Sequence, residues 1–140
     1  MSTIKPKINY AFLCDYAFIS GGDKLNIIGI FKNINTQNLP AQHPLMFVVT
    51  SIAVATKGNF KVNIKFVRRL DNVEIIPPLD FDISMVSDEG SREGELGVIG
   101  QIANLKFEEA GMYDVLVLVN GENIGSLPLQ VLHLKKNAAK

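Results

Sequence analysis

Residues 107–122 read FEEAGMYDVLVLVNGE, and this stretch decides the fold class. Valine recurs at every second position from 115 to 119, which is the two-residue period of a β-strand. Asn120 and Gly121 follow, and both residue types tolerate the positive φ angles that a type I′ turn requires at its two central positions. The stretch therefore predicts a hairpin that joins the last two strands of the chain as an antiparallel pair.

The same alternation recurs along the rest of the chain. Apolar side chains alternate with lysine and asparagine over residues 60–66, and with aspartate and serine over residues 79–85. Pro77 and Pro78 lie between these two stretches and force a connection, because proline cannot donate a hydrogen bond to a ladder. From such patterns we predict strands at residues 10–16, 25–31, 46–54, 60–69, 79–86, 96–105, 113–119 and 124–133.

About eight short strands with turn signals between them are typical of a β-sandwich or barrel. No stretch carries a convincing helical stripe, although residues 106–111 could form one helical turn. We therefore predict an all-β protein with a single antiparallel β-sandwich domain over residues 1–134. The polar residues 135–140 are expected to form a frayed tail.

Gly111 and Tyr113 open the penultimate strand in a pattern that resembles the tyrosine corner of immunoglobulin-like domains. In such a corner the tyrosine hydroxyl bonds back to the upstream backbone. Val115 stands two residues later, where an antibody domain has its second cysteine, and the chain contains no tryptophan. The resemblance implies an immunoglobulin-like sandwich that lacks the disulfide and its tryptophan partner.

Several features together resemble an uncharacterised bacterial family with an immunoglobulin-like β-sandwich. They are the segments NYAFLCDYA at residues 9–17 and KLNIIGIF at residues 24–31, the pair His43-Pro44, and the Gly111-x-Tyr113 corner. The resemblance covers most of the chain. It implies a small, cytoplasmic, all-β bacterial protein, and it brings no activity, substrate, cofactor, metal or catalytic residue with it.

The composition excludes several classes of protein. Of 140 residues, 47% are hydrophobic and 20% charged, which suits a single core and is unlike an intrinsically disordered chain. The 14 basic residues balance 14 acidic ones, so the net charge of +0 argues against nucleic acid as a partner. The single cysteine excludes an intramolecular disulfide and a cysteine-based zinc site.

Nothing in the sequence indicates export or a membrane span. Asp15 interrupts the apolar stretch near the N-terminus, and no small-x-small cleavage site follows it. In the longest uncharged stretch, residues 33–56, only residues 45–55 are consistently apolar, about half of the ~20 residues that a membrane helix requires. Because the thiol is also free, we expect a cytoplasmic protein that does not bind membranes.

Few residues could carry out chemistry. Cys14 could act with His43 or His133 as the nucleophile of a hydrolase, provided that its thiol were accessible and activated. Cys14 shares strand parity with Tyr10 and Tyr16, however, which predicts that it lies buried on the core face as a small hydrophobe. The histidines lack acidic ligands at metal-binding spacing, so we assign all three residues structural roles and predict no catalytic, cofactor or metal site.

An acidic loop at residues 87–95 is the candidate for a cation site. Ca²⁺ prefers oxygen ligands, and this loop carries four carboxylates. The spacing matches no EF-hand loop, and Arg92 lies in its middle. We therefore predict a solvated loop that does not bind Ca²⁺ with useful affinity. The four carboxylates belong to Asp88, Glu89, Glu93 and Glu95.

Asp80 and Asp82 have a structural explanation in strand pairing. If the fourth and fifth predicted strands pair antiparallel with Phe66 opposite Phe81, Lys65 lies opposite Asp82 on the solvent face. Such a pair helps to fix the register and contributes about 0.2–1 kcal/mol. The lysines of this strand then form one half of a charge ladder and not a patch for nucleic acid.

The strand at residues 45–54 is apolar on both faces, and so is the last hairpin. In that hairpin, leucines such as Leu116 and Leu118 lie on one face of the strand and valines lie on the other face. If these strands are neighbours in one sheet, their outer side chains form an apolar patch that something must cover. We expect the cover to be a second copy of the chain, in a two-fold dimer through a sheet face. The alternative cover is the N-terminal segment, residues 4–10.

The leading functional hypothesis is a non-enzymatic interaction module that binds an unidentified protein through a sheet face, an edge or its end loops. One alternative is a sandwich that binds a small ligand or a carbohydrate. With no tryptophan and three tyrosines, the chain is a poor match for an aromatic carbohydrate platform. The less favoured alternative is the hydrolase with Cys14 as its nucleophile.

Overall fold

The computed structural model describes residues 5–55, 57–85 and 93–134. Within these ranges the chain forms ten strands and no helix. The described residues therefore include no helix that is long and apolar enough to cross a membrane. The strands are β1 (Lys7–Ser20), β2 (Lys24–Phe31), β3 (Asn33–Thr36), β4 (Ala41–Ala55), β5 (Gly58–Arg68), β6 (Val73–Glu74), β7 (Leu79–Met85), β8 (Glu93–Phe107), β9 (Gly111–Val119) and β10 (Glu122–His133).

The strands form two sheets. The first sheet has four antiparallel strands in the order β2-β1-β4-β8. The second has the order β3-β10-β9-β5, and the far side of β5 pairs with both β6 and β7. β3 is parallel to β10, and the other pairings of the second sheet are antiparallel. The chain changes from the first sheet to the second at Lys32, between β2 and β3.

The prediction of an all-β fold is confirmed, and each of the eight predicted strands overlaps an observed one. The structure has two more strands, β3 and β6. β3 escapes prediction because Ile34 is its only apolar residue, and β6 because it is two residues long. The predicted helical turn at residues 106–111 is wrong, since β8 runs through Phe107 and β9 begins at Gly111. The predicted tail, residues 135–140, lies outside the described residues.

The main core lies between the two sheets. Its side chains come from alternate positions of the strands, as the period of two predicts. In β9, for example, Tyr113 and the three valines at 115–119 are buried, whereas the residues between them are half-buried. The other strands contribute Met46, Val48, Ile52, Val54, Val62, Ile64, Phe66, Leu96, Val98, Ile102, Leu105, Leu129 and Val131, among others.

β4 is buried on both of its faces. Every residue from 46 to 54 is buried. The even-numbered side chains face the main core, whereas Phe47 and Val49 point to the other side of the first sheet. There they form a second apolar cluster with Cys14 and Ala17. The outer face of this sheet therefore needs a cover of its own.

The β1–β2 hairpin supplies that cover. β1 pairs with β4 only as far as Cys14, whereas its pairing with β2 continues to the Ser20–Lys24 pair. Leu25 and Ile27 of β2 pack against the second apolar cluster, so the hairpin folds back over the outer face beyond Cys14. One face of the hairpin is buried in this way, and its other face points to solvent.

Gly29 lies at the bend of this hairpin, between the register pairs Cys14–Ile30 and Tyr16–Ile28. Its φ angle is 71°, in the left-handed region that side chains rarely adopt. A Cβ atom at this position would lie 2.9 Å from the Cγ atom of Asp15. The left-handed backbone conformation therefore favours glycine, and an added methyl group would also force the exposed Asp15 side chain to shift.

Two local predictions for the end of the chain are confirmed. The Tyr113 hydroxyl donates a hydrogen bond of 2.6 Å to the carbonyl oxygen of Glu109, as a tyrosine corner requires. The Tyr113 ring also meets the buried ring of Phe107 edge-on, with centroids 5.1 Å apart. Asn120 and Gly121 have φ angles of 50° and 83° and connect the antiparallel strands β9 and β10.

The predicted pairing of β5 with β7 is confirmed, but its register is wrong. Phe81 lies opposite Val62, four positions before its predicted partner on β5. Asp82 therefore faces Lys61 and not Lys65. Lys65 lies beside β9 instead, where its cross-strand neighbour is a leucine.

A tight turn directly after β5 accounts for this shift. The Asn72 amide donates to the Arg68 carbonyl oxygen at 2.8 Å, and the Arg68 guanidinium holds the Asp71 carboxylate, so the chain reverses at once. β6 can then pair with β5 before β7 does. Pro77 and Pro78 then interrupt the ladder between β6 and β7, as the sequence predicts.

Tyr113→Phe removes the hydroxyl that bonds to Glu109 and keeps the packed ring. We expect the free energy of unfolding to fall by about 1 kcal/mol, because a carbonyl oxygen loses its donor. Equilibrium urea denaturation measures the change. The control is Tyr16→Phe, at an exposed ring, which should shift stability by less than about 0.5 kcal/mol. An unchanged stability for Tyr113→Phe would contradict the tyrosine corner.

Gly29→Ala places a methyl group at the hairpin bend. We expect a loss of roughly 1–2 kcal/mol, because alanine disfavours the left-handed conformation and its methyl group would press on Asp15. Gly21→Ala, in the turn of the same hairpin, is the control, since a Cβ atom there meets no atom within 4 Å. Equal melting temperatures for the two variants would show that the bend does not depend on glycine.

Candidate functional site

Cys14 is fully buried, as predicted, but on a different face of the first sheet. Its exposed fraction is 0%, and burial raises the pKa of its thiol. The side chain belongs to the second apolar cluster and not to the main core, so the predicted core face is wrong. The alternation of residues 10–16 did not identify the face that points to the main core, because this part of the chain is apolar on both faces of its strands. A buried thiol with a raised pKa is a poor nucleophile.

The two histidines make local contacts at separate places. The His43 ring packs against Phe31, with ring centroids 5.6 Å apart. His133 Nε2 lies 3.0 Å from the carbonyl oxygen of Gln37 and ties the end of β10 to the segment after β3. Neither of these contacts involves Cys14. Within the described ranges, no group of three or more His, Cys, Asp and Glu residues could hold a metal ion.

The acidic loop falls largely outside the described part of the chain. Residues 86–92, which include Asp88, Glu89 and Arg92, are not described, and neither is the side chain of Glu93. The expectation that this loop does not bind Ca²⁺ therefore stays a prediction.

Asp80 and Asp82 lie on β7 and face residues of β5. Asp80 accepts a hydrogen bond from the side-chain amide of Asn63, its partner in the register. Asp82 lies directly opposite Lys61. The two aspartates are thus half of a cross-strand polar ladder, as predicted, with a different lysine opposite.

A cluster of charged residues joins the turn after β5 to the start of β9. Arg69 donates two hydrogen bonds to the Asp114 carboxylate, at 3.0 and 2.6 Å, and Arg68 binds Asp71 in the same way, at 3.0 and 2.7 Å. These hydrogen bonds hold the pKa of both carboxyl groups below the usual value. Sequence analysis missed the cluster because Arg69 and Asp114 are 45 residues apart. Since each guanidinium is engaged by a carboxylate, we interpret the cluster as structural.

The β1–β2 hairpin carries most of the exposed large apolar side chains in the described part of the chain. Five of the eight exposed large apolar residues in the described ranges lie on this hairpin. Four of them occupy alternate positions of the two strands. By the register this face also includes the buried Cys14, and the Tyr16 ring meets the Phe47 ring of the second apolar cluster edge-on, with centroids 5.1 Å apart. We call these four the hairpin strip: Tyr16, Phe18, Ile28 and Ile30, which are 47%, 37%, 53% and 53% exposed.

β2 is also an edge strand of the first sheet in the described part of the chain. Residues 25–31 contain neither a charge nor a proline, the features that protect an edge strand from pairing with another chain. Lys24 and Lys32 flank this stretch, and both are exposed. The edge therefore presents open main-chain groups beside an apolar face, with a positive charge at each end.

The apolar patch predicted for β4 and the last hairpin does not form. β4 belongs to the first sheet, whereas β9 and β10 belong to the second, so the three strands are not neighbours. On the second sheet, Leu116 lies between Lys65 and Ser126 and is half-buried. The outer face of β4 is covered by the β1–β2 hairpin, a role that the sequence analysis assigned to a second copy or to residues 4–10.

Sequence analysis did not find the hairpin strip, although a signal for it exists. In residues 16–19 and 25–31, apolar side chains occupy both odd and even positions. Two such strands at the outside of a sheet bury one apolar face against the protein and leave the other apolar face exposed to solvent.

Comparison with known families places the chain among its relatives. Residues 9–132 match the family described as "Family of unknown function (DUF6941)". The chain belongs to this family. The match runs from β1 to β10, and it confirms the resemblance to an uncharacterised family. No curated protein matches this family member in sequence.

Several solved structures are similar to this chain at low sequence identity. The alkylpurine DNA glycosylase AlkC of Pseudomonas fluorescens, bound to DNA containing an abasic site analog, is 13% identical with a TM-score of 0.49, over 93% of this chain and 31% of the glycosylase. An immunoglobulin-like protein from Pseudomonas aeruginosa is 10% identical with a TM-score of 0.42, over 94% and 99% of the two chains. A β-glucosidase from Listeria innocua is 12% identical with a TM-score of 0.46, over 94% of this chain and 16% of the glucosidase. This family member thus spans less than a third of either enzyme, and these similarities carry no functional argument.

We expect Cys14 not to react with the disulfide reagent DTNB in the native protein, because its side chain has no exposed surface. In urea one thiol per chain should react. The absorbance of the released thiolate measures the rate of reaction with DTNB in the native protein and in urea. Val73→Cys, at an exposed site on β6, provides a control in which one thiol reacts without denaturant. Fast reaction of the native wild-type protein would restore the hydrolase hypothesis.

Proposed function

We propose that this protein is a non-enzymatic interaction module that binds an extended segment of another protein along β2. The observation that carries this proposal is the coincidence of the hairpin strip with an edge strand that lacks internal charges. Binding by strand addition uses the open main-chain groups of an edge for affinity. Specificity then comes from alternate side chains of the added strand, which would lie beside Ile28 and Ile30.

The physical chemistry of the surface supports a partner. An exposed, apolar edge strand is a site of aggregation unless something covers it. Exposed apolar surfaces that are contiguous usually mark interaction sites in monomeric proteins. Tyr16 and Phe18 add aromatic side chains, which are enriched at the centres of protein interfaces.

The charges at the ends of β2 favour a heterologous partner over a second copy. In a two-fold antiparallel pairing centred on Ile28, Lys24 of one copy would face Lys32 of the other. Like charges directly opposite each other destabilise a strand pair. We therefore propose a partner segment with an apolar centre and an acidic residue at each end, and we retain the homodimer as the competing outcome.

The finer features expected from the sequence belong to the same proposal. We propose an immunoglobulin-like sandwich, supported by the Tyr113 corner, that acts in the bacterial cytoplasm, supported by its free thiol. The burial of Cys14 and its raised pKa speak against the hydrolase alternative.

Photo-crosslinking at single positions tests the proposal. Benzoylphenylalanine replaces Ile28 in one variant and Val73, which is 47% exposed on β6, in the matched control. After irradiation in the cells that make this protein, we expect a crosslink to a different protein from position 28 and none from position 73. In the variant with benzoylphenylalanine at position 28, the additional substitution Ile30→Lys should abolish the crosslink. The additional substitution Val73→Lys in that same variant should leave the crosslink intact.

Peptide mapping of the crosslinked product then tests the chemistry of the partner. The proposal requires an extended apolar segment flanked by acidic residues. A crosslink from position 28 to a second copy of this chain would replace that partner by the homodimer. Absence of any crosslink specific to position 28 would overturn the proposed interaction surface.

A further inference from the structure

A cavity of about 370 Å³ lies between the tip of the β1–β2 hairpin and the outer face of the first sheet. Its floor comes from β4 and β8, through Val49 and Ile99, and its wall from Ile19 and Leu25 of the hairpin. Tyr10 of β1 completes the lining on the side of the sheet. This cavity is on the opposite side of the hairpin from the hairpin strip, so it does not belong to the protein-binding surface proposed above.

The absence of a side chain at Gly97 keeps this cavity open. Gly97 of β8 lines it and pairs with Ser51 of β4 in the register. A Cβ atom at Gly97 would meet no atom within 4 Å, so the glycine faces open space. The hairpin covers Val49 and its neighbours but leaves the space above Gly97 unfilled.

The polar groups of the cavity have one sign of charge. Asp23, in the hairpin turn, and Glu95, near the start of β8, both line it and are exposed. No lysine, arginine or histidine of the described residues lines it. The cavity therefore combines an apolar floor with two lining carboxylates that come from different elements, the hairpin turn and β8.

We propose that this cavity binds a small organic cation with an apolar or aromatic body, of the phenethylamine class. The volume lies in the range of small-molecule sites, which are mostly apolar with a few polar groups that orient the ligand. The apolar body would pack on Val49 and Ile99, where water is displaced from apolar surface. The ammonium group would lie beside the carboxylates of Asp23 and Glu95. This proposal stands independently of the proposed partner.

NMR titration of the ¹⁵N-labelled full chain with phenethylamine tests the proposal. Two further probes of the same shape separate the role of charge: neutral 2-phenylethanol and anionic phenylacetate. We expect saturable shifts of the Leu25, Gly97 and Ile99 amides with phenethylamine, at a Kd of about 1 mM or tighter. Affinity should fall in the order cation, neutral alcohol, anion.

Two sets of variants locate the site. Gly97→Val fills the open space with a side chain that suits a strand, and we expect it to weaken binding by about tenfold or more. Gln101→Val, at an exposed position of the same strand, should leave the affinity unchanged. Asp23→Asn and Glu95→Gln should each weaken phenethylamine severalfold without changing the binding of 2-phenylethanol.

The results test the location of the site and the chemical class of its ligand separately. Lack of saturable shifts at the cavity, or binding that Gly97→Val leaves intact, overturns the site. Equal affinity for the cation and the anion overturns the chemical class. If Gly97→Val does not fold, the two carboxylate variants and the three probes still decide both questions.

Discussion

The structure depends on the burial of β4 on both of its faces. Residues 46–54 are buried without interruption, although a strand in a two-layer sandwich ordinarily has one face toward water. The second sheet covers one face of β4 and forms the main core. The other face requires a third layer, which the chain makes by folding the β1–β2 hairpin back across the first sheet at Gly29.

That solution creates the two surfaces to which we assign functions. A two-stranded hairpin has two faces, and here both are apolar, so burying one of them exposes the other as the hairpin strip. The hairpin is also narrower than the sheet that it covers. The part of the sheet around Gly97 therefore stays open as a cavity beside the hairpin tip. One packing requirement thus accounts for the exposed edge that we propose as a protein-binding surface and for the proposed ligand site.

The charged residues at the far end of β5 have a different role. Arg68 and Arg69 are engaged by Asp71 and Asp114, and the tyrosine corner of Tyr113 lies beside them. These contacts hold the turn after β5 to the start of β9 and set the register of the strands that follow. The charge on this part of the surface is neutralised within the protein, whereas the lysines that flank β2 are exposed and available to a partner.

The sequence by itself determined eight of the ten strands, the Asn120-Gly121 hairpin, the tyrosine corner and the burial of Cys14, because each follows from a local pattern of side chains. Only the tertiary structure decided which sheet β4 joins, which face Cys14 occupies and which surface stays exposed. The physical reason is that alternation identifies a face only when the other face is polar, and β1, β2 and β4 are apolar on both. The register of β7 was beyond prediction for a related reason, since the turn after β5 is closed by hydrogen bonds of Arg68 that no local pattern of apolar residues reveals. Where local patterns are ambiguous, the packing of the whole chain chooses among them.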